Sequence, residues 1–292
     1  MLVKFAVIAG SASKDLGKRI ARRLKAPYVE AKTRVFPDGE SKITFGRIPK
    51  NSVILVVQST YPPVDTNLLQ ALSIISQARK AASKIYAIIP YMGYARQDKQ
   101  FLSGEVVTMS IVAKMLQAAG AKKTVVVDIH SKIALNHFKI PKENVSAVPE
   151  LAKYFKKMKL KNALVVSPDM GGASRAKKFA ALLNTDFIAL KKSRNRKTGK
   201  VLIQSSKVDV RGKDLILVDD IISTGGSVIK ATQFLKRQKC KRVFVACTHG
   251  LFIGDAERKI KKAGASQIIS TNTIPRGTSK VDVSGVIAES IR

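Results

Sequence analysis

The sequence has few of the features that mark secreted or membrane proteins. Its two cysteines, Cys240 and Cys247, flank one predicted strand, and their odd spacing turns the side chains to opposite faces, which argues against a mutual disulfide. No apolar run reaches the roughly 18 residues of a membrane-spanning helix. The apolar start, residues 1–10, is too short for a signal peptide and is typical of a strand that enters a turn. These absences predict a cytoplasmic protein that does not enter a membrane.

Acidic side chains are also scarce. The chain has 20 Asp plus Glu against 53 Lys plus Arg, a formal net charge of +33, and such an excess is typical of nucleic-acid binding. However, the basic residues are distributed along the whole chain, with the densest group at Lys153, Lys156, Lys157, Lys159 and Lys161. No basic run is interleaved with aromatics. We therefore expect no specific nucleic-acid binding and interpret the charge as a general surface property that also attracts polyanionic substrates.

Apolar, strand-like runs alternate regularly with amphipathic, helix-like segments. Strands are predicted at residues 5–9, 53–58, 85–89, 124–127, 163–166, 187–190, 215–218, 243–246 and 267–269. Helices are predicted from the turn at residues 10–13 to about residue 24 and at residues 67–82, 107–119, 150–157, 173–183 and 227–236. Alternation of this kind predicts an α/β fold with mostly parallel sheets flanked by helices.

The length of 292 residues is suited to two domains, each with its own core. Residues 141–149 contain two prolines and no apolar periodicity, so the boundary is placed there. The predicted domains are residues 1–145 and 146–292, and their similar size suggests a duplication.

The most informative stretch is residues 215–227, where a buried strand leads through a polar loop into a helix. At its start, Asp219 and Asp220 would repel phosphate, but a carboxylate can accept hydrogen bonds from both hydroxyls of a neutral diol. At its end, glycines and the helix N-terminus can hold an anion. The residues of this anion-binding end are Ser223, Thr224, Gly225, Gly226 and Ser227. A diol next to a phosphate describes a ribose phosphate; the alternative is an acid-ended strand followed by an ordinary helix cap.

Other polar motifs follow predicted strands, where ligands of open parallel sheets bind. Residues 34–40 form either a plain Pro-Asp-Gly turn or part of a site. Residues 91–99 combine aromatic rings with Arg96 and Gln97, which suits a purine and its phosphates, although an exposed polar loop explains them equally well. His130 also follows a strand, and a lone histidine is more often structural.

Two further motifs are able to hold phosphates. Residues 167–175 repeat the order of strand, acid, double glycine and helix, so their backbone could cradle a diphosphate while Asp169 binds magnesium. Residues 191–200 are densely basic and form either a solvated hairpin or a basic lid over phosphates.

Taken in order, these motifs resemble the series found in ribose-phosphate pyrophosphokinases. The series reads Phe-Pro-Asp-Gly-Glu, Tyr-Ala-Arg-Gln-Asp-Lys, Asp-Ile-His-Ser, Ser-Pro-Asp-Met-Gly-Gly, Lys-x-Arg and the loop at residues 219–227. The resemblance implies two domains like those of type I phosphoribosyltransferases. It also implies transfer of the diphosphoryl group of ATP to the C1 hydroxyl of ribose 5-phosphate, which gives 5-phosphoribosyl 1-diphosphate (PRPP) and AMP.

The resemblance also assigns roles to residues. Those implied for ATP are Phe36, Asp38, Glu40, Arg96 and Gln97. Those implied for ribose 5-phosphate are Arg194, Asp219, Asp220, Ser223, Thr224, Gly225, Gly226 and Ser227. His130 and Asp169 correspond to magnesium positions, and Lys192 and Arg194 to the catalytic lid. In the family the turn at residues 36–40 reaches the ATP site of a neighbouring subunit, so a homo-oligomer is expected.

Two positions depart from the commonest family pattern, and two alternative functions stay open. The lid reads Lys-Lys-Ser-Arg, so the choice of Lys192 depends on the Lys-x-Arg spacing, and Ser223 stands where many bacterial members carry Asp. One alternative is a nucleobase phosphoribosyltransferase, since such enzymes carry the last motif alone. The other is a non-catalytic, nucleotide-binding regulatory relative.

Overall fold

The computed structural model describes residues 4–194, 201–204 and 209–291. In these ranges the strands are β1 (Phe5–Ala9), β2 (Tyr28–Glu30), β3 (Lys32–Val35), β4 (Ser41–Thr44), β5 (Val53–Val57), β6 (Lys84–Ile89), β7 (Lys123–Val127), β8 (Lys142–Val145), β9 (Ala163–Ser167), β10 (Phe187–Ala189), β11 (Lys191–Arg194), β12 (Val201–Gln204), β13 (Asp214–Ile222), β14 (Arg242–Gly250), β15 (Ala265–Thr271) and β16 (Ser279–Val281). The helices are α1 (Lys14–Leu24), α2 (Val64–Ala78), α3 (Thr108–Ala119), α4 (Lys132–Asn136), α5 (Val148–Lys157), α6 (Ala173–Leu183), α7 (Gly226–Arg237), α8 (Ala256–Lys262) and α9 (Ser284–Ile291).

The first compact unit is built on a six-stranded parallel sheet with the order β2-β1-β5-β6-β7-β8. All five residues of β5 are buried, as expected for a strand covered on both faces. One face, which includes Ile8 and Val56, packs on apolar residues of α2 and α3. The opposite side is covered by α1 and α9, which contact each other, and α1 contacts β1.

The second compact unit repeats this plan. Its sheet has the order β10-β9-β13-β14-β15-β16, again parallel. Leu215 and Leu217 face α7 and α8, whereas Ile216 and Val218 face α5 and α6. Adjacent residues of β13 therefore serve opposite cores, because side chains alternate along a strand. The predicted α/β class with helix-flanked parallel sheets is confirmed.

The identical strand orders agree with the suggested duplication, but the two halves of the chain do not keep all of their own helices. Unit 1 comprises Met1–Ser146, Asn272–Pro275 and Asp282–Arg292, and unit 2 comprises Ala147–Thr271 and Arg276–Val281. The division after Ser146 lies one residue from the predicted boundary. Helix α9, which is not among the helices predicted from the sequence, lies within residues 146–292 but belongs to unit 1.

The chain's last segment is anchored to unit 1 by polar contacts as well as by its apolar face. Arg23 Nε donates to Ser284 Oγ at 2.7 Å, and Lys123 Nζ donates to the Ser290 carbonyl at 3.0 Å. Asp282 accepts from the Ser284 backbone N–H and from Asn272, each at 2.9 Å. These contacts hold α9 against residues that lie far away in the sequence.

Two antiparallel hairpins, β3–β4 and β11–β12, occupy equivalent places after the second strand of each unit. The first carries the turn at residues 36–40. The second contains the start of the predicted basic lid, whose residues 195–200 lie outside the described residues.

One predicted strand end is wrong in a way that matters for function. The strand expected at residues 215–218 runs from Asp214 to Ile222, so Asp219 and Asp220 lie in β13 rather than in the loop. The reason is that β14 is equally long and pairs with β13 beyond the end of β9, with Asp219 opposite Cys247 and Ile221 opposite His249.

Candidate active site

In unit 2 the predicted sugar and diphosphate motifs lie at the same edge of the sheet. The parallel strands β9 and β13 are neighbours. The loop at residues 167–172 follows β9 and leads into α6, and the loop at residues 223–225 follows β13 and leads into α7. Both loops therefore present a helix N-terminus at the carboxyl edge, where backbone N–H groups can bind anions.

The loop after β13 requires glycine at one position and leaves space at the next. Gly225 has φ +76°, and a Cβ atom there would lie 3.0 Å from Ile260 Cδ1. A Cβ atom on Gly226 would meet nothing within 4 Å. Thr224 and Gly226 are exposed, and Ser223 and Ser227 are half-buried. Gly225 therefore shapes the loop, and the open approach for an anion lies at Gly226 and the start of α7.

The loop after β9 is held by its own side chains. Asp169 Oδ1 accepts a hydrogen bond from the Gly172 N–H at 3.2 Å, and Ser167 Oγ donates to the Asp169 carbonyl at 2.6 Å. A Cβ atom on Gly172 would lie 2.5 Å from Ser167 Oγ, so a larger residue would push this turn apart. Gly172 thus has a structural reason in addition to any role in binding phosphate.

The two acids of β13 are joined to α6 by one arginine. Arg175 Nη1 lies 3.6 Å from Asp219 Oδ1, and Arg175 Nη2 lies 3.3 Å from Asp220 Oδ2. The exposed fractions of these side chains are 21% for Arg175, 21% for Asp219 and 8% for Asp220. The guanidinium therefore links the diphosphate loop to the acid pair.

Sequence reasoning assigned no role to Arg175, although a signal was available. A cation in the first turn of a helix is unfavourable because the helix dipole places partial positive charge there. Arg175 lies in the first turn of α6, and this placement called for a nearby anion.

The ionised form of Asp219 is disfavoured despite this arginine. Burial, followed by the adjacent Asp220 carboxyl, raises the pKa of Asp219 to about 8, against the opposing effect of Arg175. Asp219 Oδ1 also accepts from the Asp220 backbone N–H at 2.9 Å. Near neutral pH, Asp219 is therefore largely protonated, and its ability to accept hydrogen bonds from a diol depends on pH.

In unit 1, Arg96 and Gln97 are exposed on the loop that follows β6. This loop is tied to its neighbours, because Tyr91 N donates to Ser59 Oγ at 3.1 Å and Gly93 N donates to Thr60 Oγ1 at 2.7 Å. Tyr91 is only 9% exposed, so its ring is not available for stacking as the sequence suggested. Burial of Tyr91 takes precedence over the aromatic role.

Tyr94, the second aromatic of that loop, is half-buried. Its hydroxyl donates to Asp65, and this hydrogen bond, with burial and the Asp65 charge, raises the pKa of Tyr94. The ring is thus fixed beside α2.

His130 follows β7 and is exposed. Since β7 pairs with β6 in parallel, His130 lies at the same edge of the unit 1 sheet as the loop with Arg96 and Gln97. A second histidine, His137, contacts that loop through Nε2, which lies 2.7 Å from the Asp98 carbonyl.

The turn at residues 36–40 is exposed, with Phe36 half-buried. Phe36 N donates to the Glu40 carbonyl at 2.8 Å, and Glu40 N donates to Asp38 Oδ1 at 3.0 Å. The Arg34 guanidinium lies 5.2 Å from the centre of the Phe36 ring. The Pro-Asp-Gly turn is therefore real, and it presents two acids at its tip.

Lys192 and Arg194 lie in β11, where they pair with Ile203 and Val201 of β12. The Lys-x-Arg motif of the predicted lid therefore lies within this strand.

Two searches of the described ranges give negative results. No group of three or more His, Cys, Asp or Glu side chains within them has the arrangement of a metal site. None of the helices in the part of the chain that the structure describes combines the length and apolar character needed to cross a bilayer.

Comparisons with known proteins cover nearly the whole chain. A family model described as the N-terminal domain of ribose phosphate pyrophosphokinase matches residues 5–120, and a phosphoribosyl transferase domain model matches residues 145–283. The first match lies within unit 1, and the second spans unit 2.

Named relatives agree with the family models. The chain is 37% identical over 290 residues to a ribose-phosphate pyrophosphokinase of Sulfurisphaera tokodaii, covering 98% of this chain and 99% of the relative. It is 37% identical over 301 residues to one of Methanobrevibacter smithii, covering 98% and 99%. The crystal structure of phosphoribosylpyrophosphate synthetase from Mycobacterium smegmatis matches with a TM-score of 0.87 and 29% identity, covering 99% of this chain and 98% of that one. The chain belongs to the ribose-phosphate pyrophosphokinase family.

Proposed function

We propose that this protein transfers the β,γ-diphosphoryl group of ATP to the C1 hydroxyl of ribose 5-phosphate and releases PRPP and AMP. The observation that carries the proposal is the juxtaposition in unit 2 of an acid pair, Asp219 and Asp220, with two glycine-containing helix N-termini at one sheet edge. This arrangement offers carboxylates to a diol and backbone N–H groups to phosphates. Membership of the family supports the same reaction.

Ribose 5-phosphate is assigned to β13 and α7. Asp219 and Asp220 accept from the ribose hydroxyls, while the segment from Ser223 to Ser227 holds the 5-phosphate. Arg175 lies against both acids and opposes the rise in the pKa of Asp219, since a nearby cation stabilises a carboxylate.

ATP is assigned to unit 1, to Arg96 and Gln97 and to the turn that carries Phe36, Asp38 and Glu40. In our proposal this turn serves the ATP site of a neighbouring subunit. The acids at its tip are exposed, as a contribution to another subunit requires. Activity would then need a homo-oligomer, and dilution to monomers should abolish it.

In diphosphoryl transfer, the protein acts mainly by positioning the reactants and by stabilising negative charge on the phosphates. Lys192 and Arg194 of β11 supply cations, and the N-terminus of α6 supplies the positive end of its helix dipole. Each such contact is worth roughly 10²–10³-fold in rate where it acts on charge that develops in the transition state.

Magnesium is the metal that we propose. When bound, it would neutralise part of the phosphate charge. Of the two predicted positions, Asp169 fits this ion better, because magnesium prefers oxygen ligands and is usually held by one or two carboxylates together with substrate phosphates and water. Asp169 is half-buried beside the N-terminus of α6. His130 offers nitrogen, which suits other metals better.

The test is incubation with ATP, magnesium and ribose 5-phosphate, followed by assay of AMP and PRPP. Stoichiometric formation of both products is expected. Consumption of PRPP with a nucleobase, and no AMP from ATP, would favour the phosphoribosyltransferase alternative. Nucleotide binding without either turnover would favour the regulatory alternative. A cytoplasmic location stays a prediction of the sequence.

A further inference from the structure

Basic residues that are spread along the sequence are gathered by the fold at one edge of unit 2. The strand register aligns Ala163 of β9, Asp214 of β13 and Arg242 of β14, with Ala265 of β15 opposite Val243. The amino ends of these strands therefore form a row. Because the connections are strand–helix–strand, the carboxyl ends of the intervening helices meet at the same row.

Nearly every connection that reaches this row is basic. The exposed or half-exposed cations there are Lys156, Lys157, Lys159, Lys161, Arg211, Lys213, Lys236, Arg237, Lys239, Lys241, Arg242, Lys259, Lys261 and Lys262. We call this set the basic edge. The helix dipole accounts for cations in the last helical turns, but the series continues into the loops beyond them.

Backbone contacts hold the basic loops next to one another. The Lys241 N–H donates to the Lys213 carbonyl at 2.9 Å, and the Gly212 N–H donates to the Lys239 carbonyl at 3.1 Å. A Cβ atom on Gly264 would lie 2.9 Å from the side chain of Lys236, so the turn after α8 adjoins the end of α7. The basic edge is thus one continuous surface.

Few acids offset this charge. Asp214 is buried and engaged by Arg242 through two bonds of 2.8 and 2.6 Å. Two exposed acids precede strands of unit 2: Asp186 comes before β10 and Asp209 before β13. Asp209 accepts a hydrogen bond from the Arg211 N–H at 2.9 Å. The remaining lysines therefore present a large excess of positive charge to the solvent.

We propose that the basic edge binds the phosphate backbone of a nucleic acid without sequence preference. The three steps from β9 to β15 span roughly 14 Å at the usual strand spacing. This length matches about four phosphates of one strand of a duplex. Lysine, which predominates here, contacts phosphate as a point charge, whereas sequence reading relies on directed contacts to base edges.

Two other anionic partners fit less well. A membrane-binding surface needs apolar side chains that enter the bilayer, but among the exposed large apolar residues of the described ranges only Leu182 lies near the end of a helix at this edge. A specific protein interface has an apolar or aromatic centre, which the row of lysines does not provide. A phosphate backbone requires neither.

The basic edge is separate from the candidate active site. It lies at the amino ends of the strands, whereas the sugar loop lies beyond the carboxyl end of β13, roughly 30 Å away at the usual rise per strand residue. Binding at this edge is therefore an addition to PRPP formation, and lysines can be changed there without touching the residues assigned to substrates.

The experiment compares two fourfold variants of the full chain that lose the same charge. The edge variant carries Lys159→Gln, Lys161→Gln, Lys239→Gln and Lys241→Gln. The control variant carries Lys114→Gln, Lys177→Gln, Lys178→Gln and Lys280→Gln, all exposed and outside the basic edge. Both are checked for unchanged PRPP formation and unfolding midpoint, and binding of a short labelled DNA duplex is titrated at several salt concentrations.

Wild-type protein should bind the duplex, and log K should fall with log salt with a slope of about −3 to −4. The edge variant should bind roughly tenfold or more weakly with a shallower slope, while the control variant stays close to wild type. Equal losses in both variants, or no binding by wild type, would overturn the proposal. Displacement by polyglutamate or phosphatidylserine vesicles as effective as by unlabelled duplex, at equal charge, would reject nucleic acid as the partner class.

Discussion

Replacement of Asp219 by asparagine should remove most of the pH dependence of ribose 5-phosphate binding around pH 8. Wild-type Asp219 has a pKa of about 8, so its carboxylate is mostly protonated at pH 7 and mostly ionised at pH 9. Asparagine resembles the protonated form in size and lacks the charge. The variant should therefore bind the sugar phosphate at every pH much as the wild type does at low pH.

The expected change in affinity for ribose 5-phosphate follows from the ionised fraction of Asp219 and from the hydrogen bonds that it is proposed to accept. One pH unit below the pKa, about a tenth of the carboxyl is ionised, so the apparent affinity of the wild type at pH 7 should be roughly tenfold lower than at pH 9. At pH 9, Asp219→Asn should cost roughly 1–3 kcal/mol, the range for a lost hydrogen bond to a charged group. ATP binding should change little, because its assigned residues lie in unit 1.

Isothermal titration calorimetry from pH 7 to 9, in paired buffers of different ionisation enthalpy, measures both affinity and proton release. Wild-type protein should release a proton on binding at pH 7, and the variant should not. The second ionisation of a phosphate monoester lies at a pH of about 6, below this window, and it is common to both proteins. The variant therefore serves as its own control for the substrate.

The variant Arg175→Gln provides an independent test of the role of Asp219. Without the guanidinium at 3.6 Å from Asp219 and 3.3 Å from Asp220, the midpoint of the wild-type profile should move upward by about one to two pH units. A pH-independent wild type, or a variant with the same slope as wild type, would refute the role of Asp219. If Asp219→Asn weakened ATP and spared ribose 5-phosphate, the loop would be a nucleotide site and the proposed orientation would be reversed.

Four further predictions concern turnover, metal and stability. Lys192→Ala should lower kcat by orders of magnitude with little effect on ATP affinity, because its cation acts on transition-state charge; a raised KM alone would contradict this. His130→Ala combined with Asp169→Asn, which keeps the loop's hydrogen-bond acceptor, should raise the magnesium concentration needed for half-maximal activity without shifting the unfolding midpoint. Because the pKa of Asp219 is raised from 3.8 to about 8 in the folded protein, this group stabilises the folded state below pH 4, and that contribution to the free energy of unfolding is lost as pH rises through about 8. Above pH 8, Asp219→Asn should therefore unfold at a higher temperature than wild type, and equal melting curves would refute this reasoning. Gly225→Ala should lower the free energy of unfolding, measured in denaturant, by about 1–2 kcal/mol, because Gly225 has φ +76°. An unchanged free energy would contradict the requirement for glycine at this position.

The core strands could be predicted from the sequence because each consists of a continuous apolar run, which is recognisable without knowledge of its tertiary partners. All five residues of β5 are buried, and α6 begins and ends where its pattern predicts. The extension of β13 through Asp219 and Asp220 could not be read in this way. It depends on pairing with β14, and no local preference for strand structure marks two consecutive acids.

Motifs in the sequence proposed the site residues, but they gave no information on the electrostatic state of those residues. The contact of Arg175 with both acids depends on the proximity of α6 to β13, and the raised pKa of Asp219 depends on burial that no motif records. Similarly, Tyr91 belongs to a motif suited to purine stacking, yet packing covers its ring. Residue types were predictable, whereas the burial that sets their chemistry was a property of the folded chain.

The placement of α5 and α9 has a consequence for how the protein is made. Ile287 and Ile291 of α9 are buried, and α9 belongs to unit 1, so the first unit cannot close one side of its sheet until α9 has been synthesised. The helix that follows β8, in turn, belongs to unit 2. A gene cut between the codons for Ser146 and Ala147 would therefore yield an amino-terminal fragment with an uncovered apolar face and a carboxyl-terminal fragment with a surplus helix. Co-expression of the two fragments should rescue solubility that the amino-terminal fragment lacks on its own.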